Sequence, residues 1–161
     1  LVGTISLPYP KFSSKTIKGK PLHTWTLENR LHEIEIPMNT SRIYSLKMNN
    51  LRPISKEEVL KTVLNKIETI PKVTDARKAL GADFRRDDVR ASWDTVARSP
   101  RDTFFLLTFT CIASSGTYMR SLAGVIGEKL GTTGLAYSIH RTKIGTYAPL
   151  FRNTGFWMKK F

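Results

Sequence analysis

Residues 103–131 read TFFLLTFTCIASSGTYMRSLAGVIGEKLG, and this stretch decides the fold. The mostly apolar residues 103–113 predict a buried strand, and the small residues 114–117 that follow predict a turn. Apolar residues then recur at helical spacing as far as Gly131, which is typical of a helix that ends at a glycine. The stretch therefore predicts a buried strand, a tight turn and a helix in direct succession.

Two large side chains, Tyr118 and Arg120, leave this turn where the helix begins. Backbone amides at a helix start have no partner within the helix and face outward. Ligand sites also tend to form at the carboxyl ends of central strands. These features indicate a candidate site at the junction. The residue types alone leave a plainer alternative open, a capped strand–helix junction with an incidental tyrosine and a surface arginine.

The rest of the chain predicts further strands and helices. Strands are predicted at residues 2–7, 12–17, 33–36, 42–48, 134–139 and 142–147, and helices at residues 21–30, behind the capping box of Ser55 and Glu58, and at residues 84–98. The last ten residues show no clear pattern. This order of elements predicts an α+β fold, with a mixed, mainly antiparallel sheet and helices packed on it.

The chain is strongly basic, with 26 Lys and Arg residues against 13 Asp and Glu residues and a formal charge of +13. The surplus is concentrated at the two ends, in residues 1–30 and 101–161. A surplus of this size indicates a polyanion partner, most simply nucleic acid. The alternative is a basic surface that serves only solubility.

The remaining composition argues against several other classes of protein. No apolar run approaches the roughly 20 residues that a membrane helix needs, and no signal peptide is found. Cys111 is the only cysteine, so an internal disulfide is impossible and a reducing cytoplasmic location is expected. The three histidines show no ligand spacing, so no metal site is expected.

Two further segments combine basic and apolar residues. Residues 9–22, YPKFSSKTIKGKPL, interleave Phe12 with hydroxyl groups and four lysines, which would suit stacking on a base and neutralisation of phosphates. A lysine-bearing edge hairpin is an equally good reading of that segment. Residues 134–145, GLAYSIHRTKIG, alternate apolar and polar residues and predict an amphipathic strand that exposes Arg141 and Lys143.

Taken together, these segments resemble the TruB family of tRNA pseudouridine synthases. The matching motifs are PKFSSK at residues 10–15, GKPL at 19–22, SSGTYMRSLAGVIGEKLG at 114–131 and SIHRTKIG at 138–145. The resemblance covers roughly residues 1–50 and 103–147, so residues 1–150 are interpreted as a partial catalytic domain. Residues 51–102 look like a helical insertion, and residues 151–161 like a tail.

The resemblance implies an RNA-modifying enzyme without metal or organic cofactor. Such enzymes recognise the T-arm of tRNA, flip a uridine out of the stack, cut its bond to ribose and rejoin the base through carbon. Tyr118 would pack on the target base and move a proton at its carbon, and Arg120 would hold the catalytic aspartate ionised. Phe12 stands where the family usually has tyrosine, so the ring is kept and the hydroxyl is lost. The residues implied to contact RNA are Phe12, Lys15, Lys18, Lys20, Ile139, Arg141 and Lys143.

The aspartate motif of the family, Gly-x-Leu-Asp-Pro, is not in this sequence, and none of the six aspartates precedes a proline. The chain is therefore expected to be a fragment that carries the tyrosine and arginine of the site and is inactive alone, with a missing N-terminal half that supplies the aspartate. One alternative is a catalytically silent RNA-binding module or assembly factor. Another is a basic structural protein, such as one associated with the ribosome.

Overall fold

The strand at residues 103–113 and the helix behind it both form in a computed structural model, which describes residues 1–70, 86–151 and 154–158. The strands are β1 Gly3–Pro8, β2 Thr16–Ile17, β3 Lys20–Pro21, β4 Met38–Ser55, β5 Thr103–Ala113, β6 Thr146–Phe151 and β7 Thr154–Met158. The helices are α1 Leu22–Leu27, α2 Lys56–Glu68, α3 Arg86–Arg98 and α4 Met119–Lys129, with a 3-10 turn at Leu31–Glu33. Helices and antiparallel strands occur together, which confirms the α+β class.

The chain divides into two compact units, one made of Leu1–Lys47 with Thr110–Phe161 and one made of Met48–Phe109. In the first unit, β1 runs antiparallel to β4, with Gly3 opposite Ile43. The strand β4 lies between β1 and β5 in the sheet, so β5 is an edge strand and not the central strand that was expected. The helix α4 packs against β1. This arrangement brings the start of α4 close to the end of β1.

The core of the first unit contains Leu22, Ile43 and Leu122, which are fully buried. They come from α1, β4 and α4, so each of these three elements buries at least one apolar side chain. Burying a side chain of this size contributes roughly 1.5–3 kcal/mol. The burial of Leu122 therefore holds α4 in the core independently of the contacts at its N-terminus.

In the second unit, α2 packs against α3 and buries Val59 and Ile67 on one face. Glu68 of α2 forms an ion pair with Arg90 of α3. The capping hydroxyl predicted at Ser55 is confirmed, because Ser55 Oγ accepts the backbone N–H of Glu58 at 3.1 Å.

Replacing Ser55 by alanine is expected to lower the free energy of unfolding by about 1 kcal/mol, since one N-terminal amide of α2 loses its acceptor. Ser92 lies inside α3, and its hydroxyl donates to the Asp88 carbonyl at 2.8 Å. Ser92→Ala should be neutral or slightly stabilising because alanine favours a helix interior. Urea unfolding of both variants measures the difference, and an equal loss for the two would contradict the capping role.

Two strands predicted in the first unit do not form as expected. Residues 33–36 begin in the 3-10 turn instead, because Arg30 binds the Glu33 carboxylate through two hydrogen bonds of 2.6 and 2.7 Å. Only Thr16–Ile17 of the predicted strand 12–17 pairs. The Lys15 carbonyl is instead used by α1, where it accepts the Leu22 N–H at 2.7 Å.

The strand predicted at residues 134–139 is also wrong, and of residues 142–147 only Thr146 and Tyr147 belong to a strand. This segment lies directly on α4, where Gly127 and Gly134 bring the two backbones together. Residues 134–139 form no strand in this position. At the end of the chain, Thr154–Met158 in the predicted tail forms β7, which pairs antiparallel with β6.

The strand β4 is longer than predicted, since Met38–Ser55 exceeds residues 42–48 at both ends. The helix predicted at residues 84–98 forms as Arg86–Arg98, while residues 84 and 85 lie outside the described residues. None of the helices in the described ranges is long and apolar enough to cross a membrane.

Candidate nucleic-acid interface

The turn between β5 and α4 is held by hydrogen bonds on both sides. Ser114 N–H donates to the Arg42 carbonyl at 2.8 Å, and Ser114 Oγ accepts the Arg42 N–H at 2.9 Å. Gly116 has a φ of +83°, a left-handed conformation that favours glycine, and its carbonyl accepts from Asn39 Nδ2 at 3.0 Å. The strand end and β4 therefore fix where α4 begins.

At the N-terminus of α4, no side chain caps the helix and no acidic residue lies in the first turn. Tyr118 is the N-cap residue, and its carbonyl accepts the Leu122 N–H at 3.0 Å. The Tyr118 side chain is half-buried, whereas Arg120 is exposed. The first turn thus presents one fixed aromatic ring and one cationic side chain.

An open pocket of about 350 Å³ lies at this junction. Its lining residues are Gly116, Thr117, Tyr118, Met119, Arg120, Ile139 and Arg141. Four side chains that the sequence singled out as site residues, Tyr118, Arg120, Ile139 and Arg141, therefore meet around one space. Lys143 is not among the lining residues. The segment that carries Ile139 and Arg141 reaches the pocket because Gly134 rests on α4.

The segment after β1 contacts the same junction. The rings of Tyr9 and Tyr118 meet edge to face, with centroids 5.5 Å apart and an interplanar angle of 67°. Arg120 Nη2 donates to the Phe12 carbonyl at 3.2 Å, and Ser121 Oγ donates to the Pro8 carbonyl at 3.4 Å. Phe12 thus meets Arg120 through its backbone. Tyr9 was not predicted as a site residue, because the matching motif PKFSSK begins one residue later, at Pro10.

The three lysines expected to contact RNA differ in their surroundings. The Lys15 ammonium lies 5.3 Å from the centroid of the Tyr9 ring, and within the described chain no carboxylate pairs with it. Lys18 Nζ donates to the Glu33 carbonyl at 3.3 Å. Lys20 Nζ donates to both carboxylate oxygens of Glu28, at 2.9 and 2.8 Å. The hydrogen bond from Lys20 lowers the pKa of Glu28, so the charge of Lys20 is compensated within the protein.

Lys15→Gln is expected to weaken RNA binding more than Lys20→Gln, although each substitution removes one positive charge. A lysine that neutralises a phosphate contributes about 0.7–0.9 to the slope of log affinity against log salt concentration. We expect a slope change of that size for Lys15→Gln and a smaller one for Lys20→Gln. Titrations of a labelled RNA hairpin at several salt concentrations measure both slopes, and a larger change for Lys20→Gln would contradict this assignment.

The pocket lining described above contains no carboxylate. The described aspartates, Asp87, Asp88, Asp94 and Asp102, all belong to the unit Met48–Phe109. Across residues 1–70, 86–151 and 154–158, no group of three or more His, Cys, Asp or Glu side chains is arranged to hold a metal ion. The residues that line the pocket therefore include an aromatic ring, two apolar side chains, a threonine hydroxyl group and two guanidinium groups.

Comparison of the chain with models of protein families, with curated proteins and with solved structures gives no match in any of the three.

Proposed function

We propose that this pocket receives one unstacked uridine of an RNA, and that the chain contributes the tyrosine and arginine of a pseudouridine synthase site. The observation that carries the proposal is the convergence of Tyr118 and Arg120 with Ile139 and Arg141 around one pocket. The two pairs are separated along the chain, yet the resemblance to the TruB family marks all four as site residues: Tyr118 and Arg120 for catalysis, and Ile139 and Arg141 for contact with RNA. The substrate under this proposal is a uridine in the T-arm of tRNA.

The size and apolar surface of the pocket suit a single base. A volume of about 350 Å³ is at the small end of the roughly 300–1,000 Å³ that ligand sites occupy. A base taken out of its stack needs a new aromatic surface, and stacking on a protein ring contributes about 1–3 kcal/mol. The ring of Tyr118 supplies that surface, and Ile139 supplies an apolar contact beside it.

The charges of the pocket suit a nucleic acid. Arg120 and Arg141 bring two guanidinium groups to a lining without a carboxylate, within a chain of formal charge +13. A guanidinium binds phosphate or carboxylate oxygens through paired hydrogen bonds. The lysines of the neighbouring segment extend this positive surface, since Lys15 and Lys18 are both exposed. Backbone phosphates are the partners that such a surface recognises.

Isomerisation of uridine breaks the bond between N1 and the ribose carbon and forms a bond from C5 to that carbon. A hydrogen leaves C5, and N1 gains a proton. Tyr118 is proposed to move the proton at C5, and Arg120 to hold a carboxylate that acts at the sugar. Since no residue of the lining is acidic, that carboxylate has to come from residues other than those that form the pocket.

A second function, a catalytically silent RNA-binding module, is favoured by this same lack of a carboxylate in the lining. Such a module would bind the unstacked base and leave it unchanged. Both functions use RNA as the partner, need no cofactor and are proposed to operate in the cytoplasm, where a chain with a single cysteine stays reduced.

Release of tritium from C5-labelled uridine in a T-arm hairpin tests these proposals, with a filter-binding titration of the same RNA in parallel. The 161-residue chain is expected to bind the hairpin and release no tritium. Release by this chain would overturn both the silent module and the need for an outside carboxylate. The same assay on the protein purified from its native cells separates the two functions, because only the synthase releases tritium there. Absence of RNA binding would contradict both.

A further inference from the structure

Tyr9 stands between the pocket and the basic segment that follows β1. Its ring meets the Tyr118 ring edge to face at 5.5 Å, and the Lys15 ammonium lies 5.3 Å from the centroid of the same ring. One aromatic side chain thus contacts both the base-binding ring and a cation suited to a phosphate. Neither the resemblance nor the motifs of the sequence gives Tyr9 a role.

The backbone holds Tyr9 firmly in this position. The residue lies between Pro8 and Pro10, whose rings fix their own φ angles and restrict the residues before them. Tyr9 N–H donates to the Pro37 carbonyl at 3.2 Å, and this hydrogen bond joins residues 8–10 to the residue just before β4. A ring carried on so restrained a backbone has few alternative positions.

The contacts of Tyr9 also have the geometry of specific interactions. An edge-to-face pair of aromatic rings contributes about 3- to 10-fold in an equilibrium constant beyond the burial of its area. The partner, Tyr118, has no capping hydrogen bond from its side chain. Among the described residues, Tyr9 is the aromatic side chain that contacts the Tyr118 ring. This contact is therefore placed to restrict the orientation of the pocket tyrosine.

We propose that Tyr9 is a positioning residue, which fixes the Tyr118 ring at the pocket and holds the Lys15 ammonium beside it. The base of an unstacked nucleotide and a phosphate of the same strand are then bound at a fixed separation. This inference rests on the proposed function, because it requires that the pocket binds an RNA base. The expected consequence is selectivity for a hairpin with an unpaired uridine over a fully paired duplex.

The first part of the test measures position without RNA. Ring-proton NMR signals of Tyr118 sense the ring of Tyr9, so Tyr9→Leu is expected to shift them and Tyr9→Phe to leave them close to their original values. Tyr44 is the matched control because its ring has the same two kinds of contact. Its centroid lies 5.3 Å from the centroid of the Tyr147 ring and 5.7 Å from Arg42 Cζ. Tyr44→Leu should leave the Tyr118 signals in place. Unshifted signals in Tyr9→Leu would overturn the positioning role.

The second part measures binding of an RNA hairpin with one unpaired uridine and of a fully paired RNA duplex. Tyr9→Leu is expected to weaken hairpin binding about 3- to 10-fold and to reduce the protein's preference for the hairpin over the duplex. Tyr9→Phe, which keeps the ring, should leave both the affinity and the preference close to those of the unchanged protein. Lys15→Gln, at an exposed position that leaves the fold intact, should weaken hairpin binding without shifting the Tyr118 signals. An unchanged preference in Tyr9→Leu would overturn the inference.

The proposed function can fail separately. If Tyr118→Ala binds the hairpin as tightly as the unchanged protein, the base-binding pocket itself is refuted. If Tyr118→Ala weakens binding but Tyr9→Leu does not, the pocket stands and the positioning role of Tyr9 is overturned.

Discussion

Gly127→Ala is expected to lower the free energy of unfolding by about 3 kcal/mol or more. A Cβ at Gly127 would lie 2.5 Å from the Thr133 carbonyl carbon and 2.8 Å from Gly134 Cα. Both are backbone atoms, so no side-chain rotation relieves the clash. The segment behind α4 would have to move away from the helix, and Ile139 and Arg141 would move with it.

The control for Gly127→Ala is Gly124→Ala in the same helix. A Cβ at Gly124 would meet only the Gly134 carbonyl oxygen, at an ordinary distance of 4.0 Å. Alanine favours a helix interior over glycine by about 0.5–1 kcal/mol, so this variant should be slightly more stable than the original chain. Thermal unfolding of both variants measures the contrast. A Gly127→Ala variant as stable as Gly124→Ala would contradict the close packing of residues 131–134 on α4.

Tyr118→Ala is expected to weaken binding of an RNA hairpin with an unpaired uridine about 5- to 150-fold, the range that follows from the loss of about 1–3 kcal/mol of stacking. The Tyr118 ring lines the pocket, is half-buried and contacts the Tyr9 ring. Its main expected contribution to RNA binding is therefore stacking on the base. Its removal leaves the basic surface unchanged. The loss should therefore appear at every salt concentration, without a change in salt slope.

Tyr118→Phe is the matched control for this effect. It keeps the ring and removes only the hydroxyl, so hairpin binding should stay close to that of the unchanged protein. Fluorescence anisotropy with the labelled hairpin, and with the same hairpin after its unpaired uridine is deleted, measures both variants. If Tyr118→Ala and Tyr118→Phe bound the hairpin equally well, the ring would have no part in recognition and the account of the pocket would fail.

The parts of the fold that the sequence predicted well are local. The strand Thr103–Ala113, the turn at Gly116 and the helix Met119–Lys129 form where expected, because apolar periodicity and a glycine encode each of them within a few residues. The prediction that this strand is buried is wrong, since none of its residues is fully buried. The cap at Ser55 is equally local, since donor and acceptor are three residues apart. In such segments both partners of each stabilising contact lie within a few residues of each other.

The mispredicted parts depend on contacts that hydrophobic alternation does not encode. Residues 33–36 alternate as a strand would, but Arg30 and Glu33 form an ion pair three residues apart, and Leu31–Glu33 forms a 3-10 turn. Residues 134–139 also alternate, but Gly134 lies against α4 and the segment forms no strand. Alternation shows which side chains favour a buried face. It does not show whether a neighbouring strand is available.

The candidate site was predictable in part for the same reason. Tyr118 and Arg120 leave one short turn, so their proximity follows from the sequence, whereas Ile139 and Arg141 join them through the packing of a later segment. Lys20 was predicted to contact RNA, but its ammonium forms an ion pair with Glu28, at the other end of α1. The sequence did not show this pairing. Tyr9 belongs to none of the matching motifs, and the edge-to-face contact of its ring with Tyr118 connects it to the pocket.

Photo-crosslinking with 4-thiouridine at the single unpaired position of an RNA hairpin tests the central claim most directly. Peptide mapping should find the crosslink within residues 116–120 or 139–141, which line the pocket. The adduct should disappear when an unlabelled hairpin with an unpaired uridine competes, and persist when a fully paired duplex competes. Crosslinks confined to residues 48–109 at saturating RNA, with none in the pocket segments, would contradict the account.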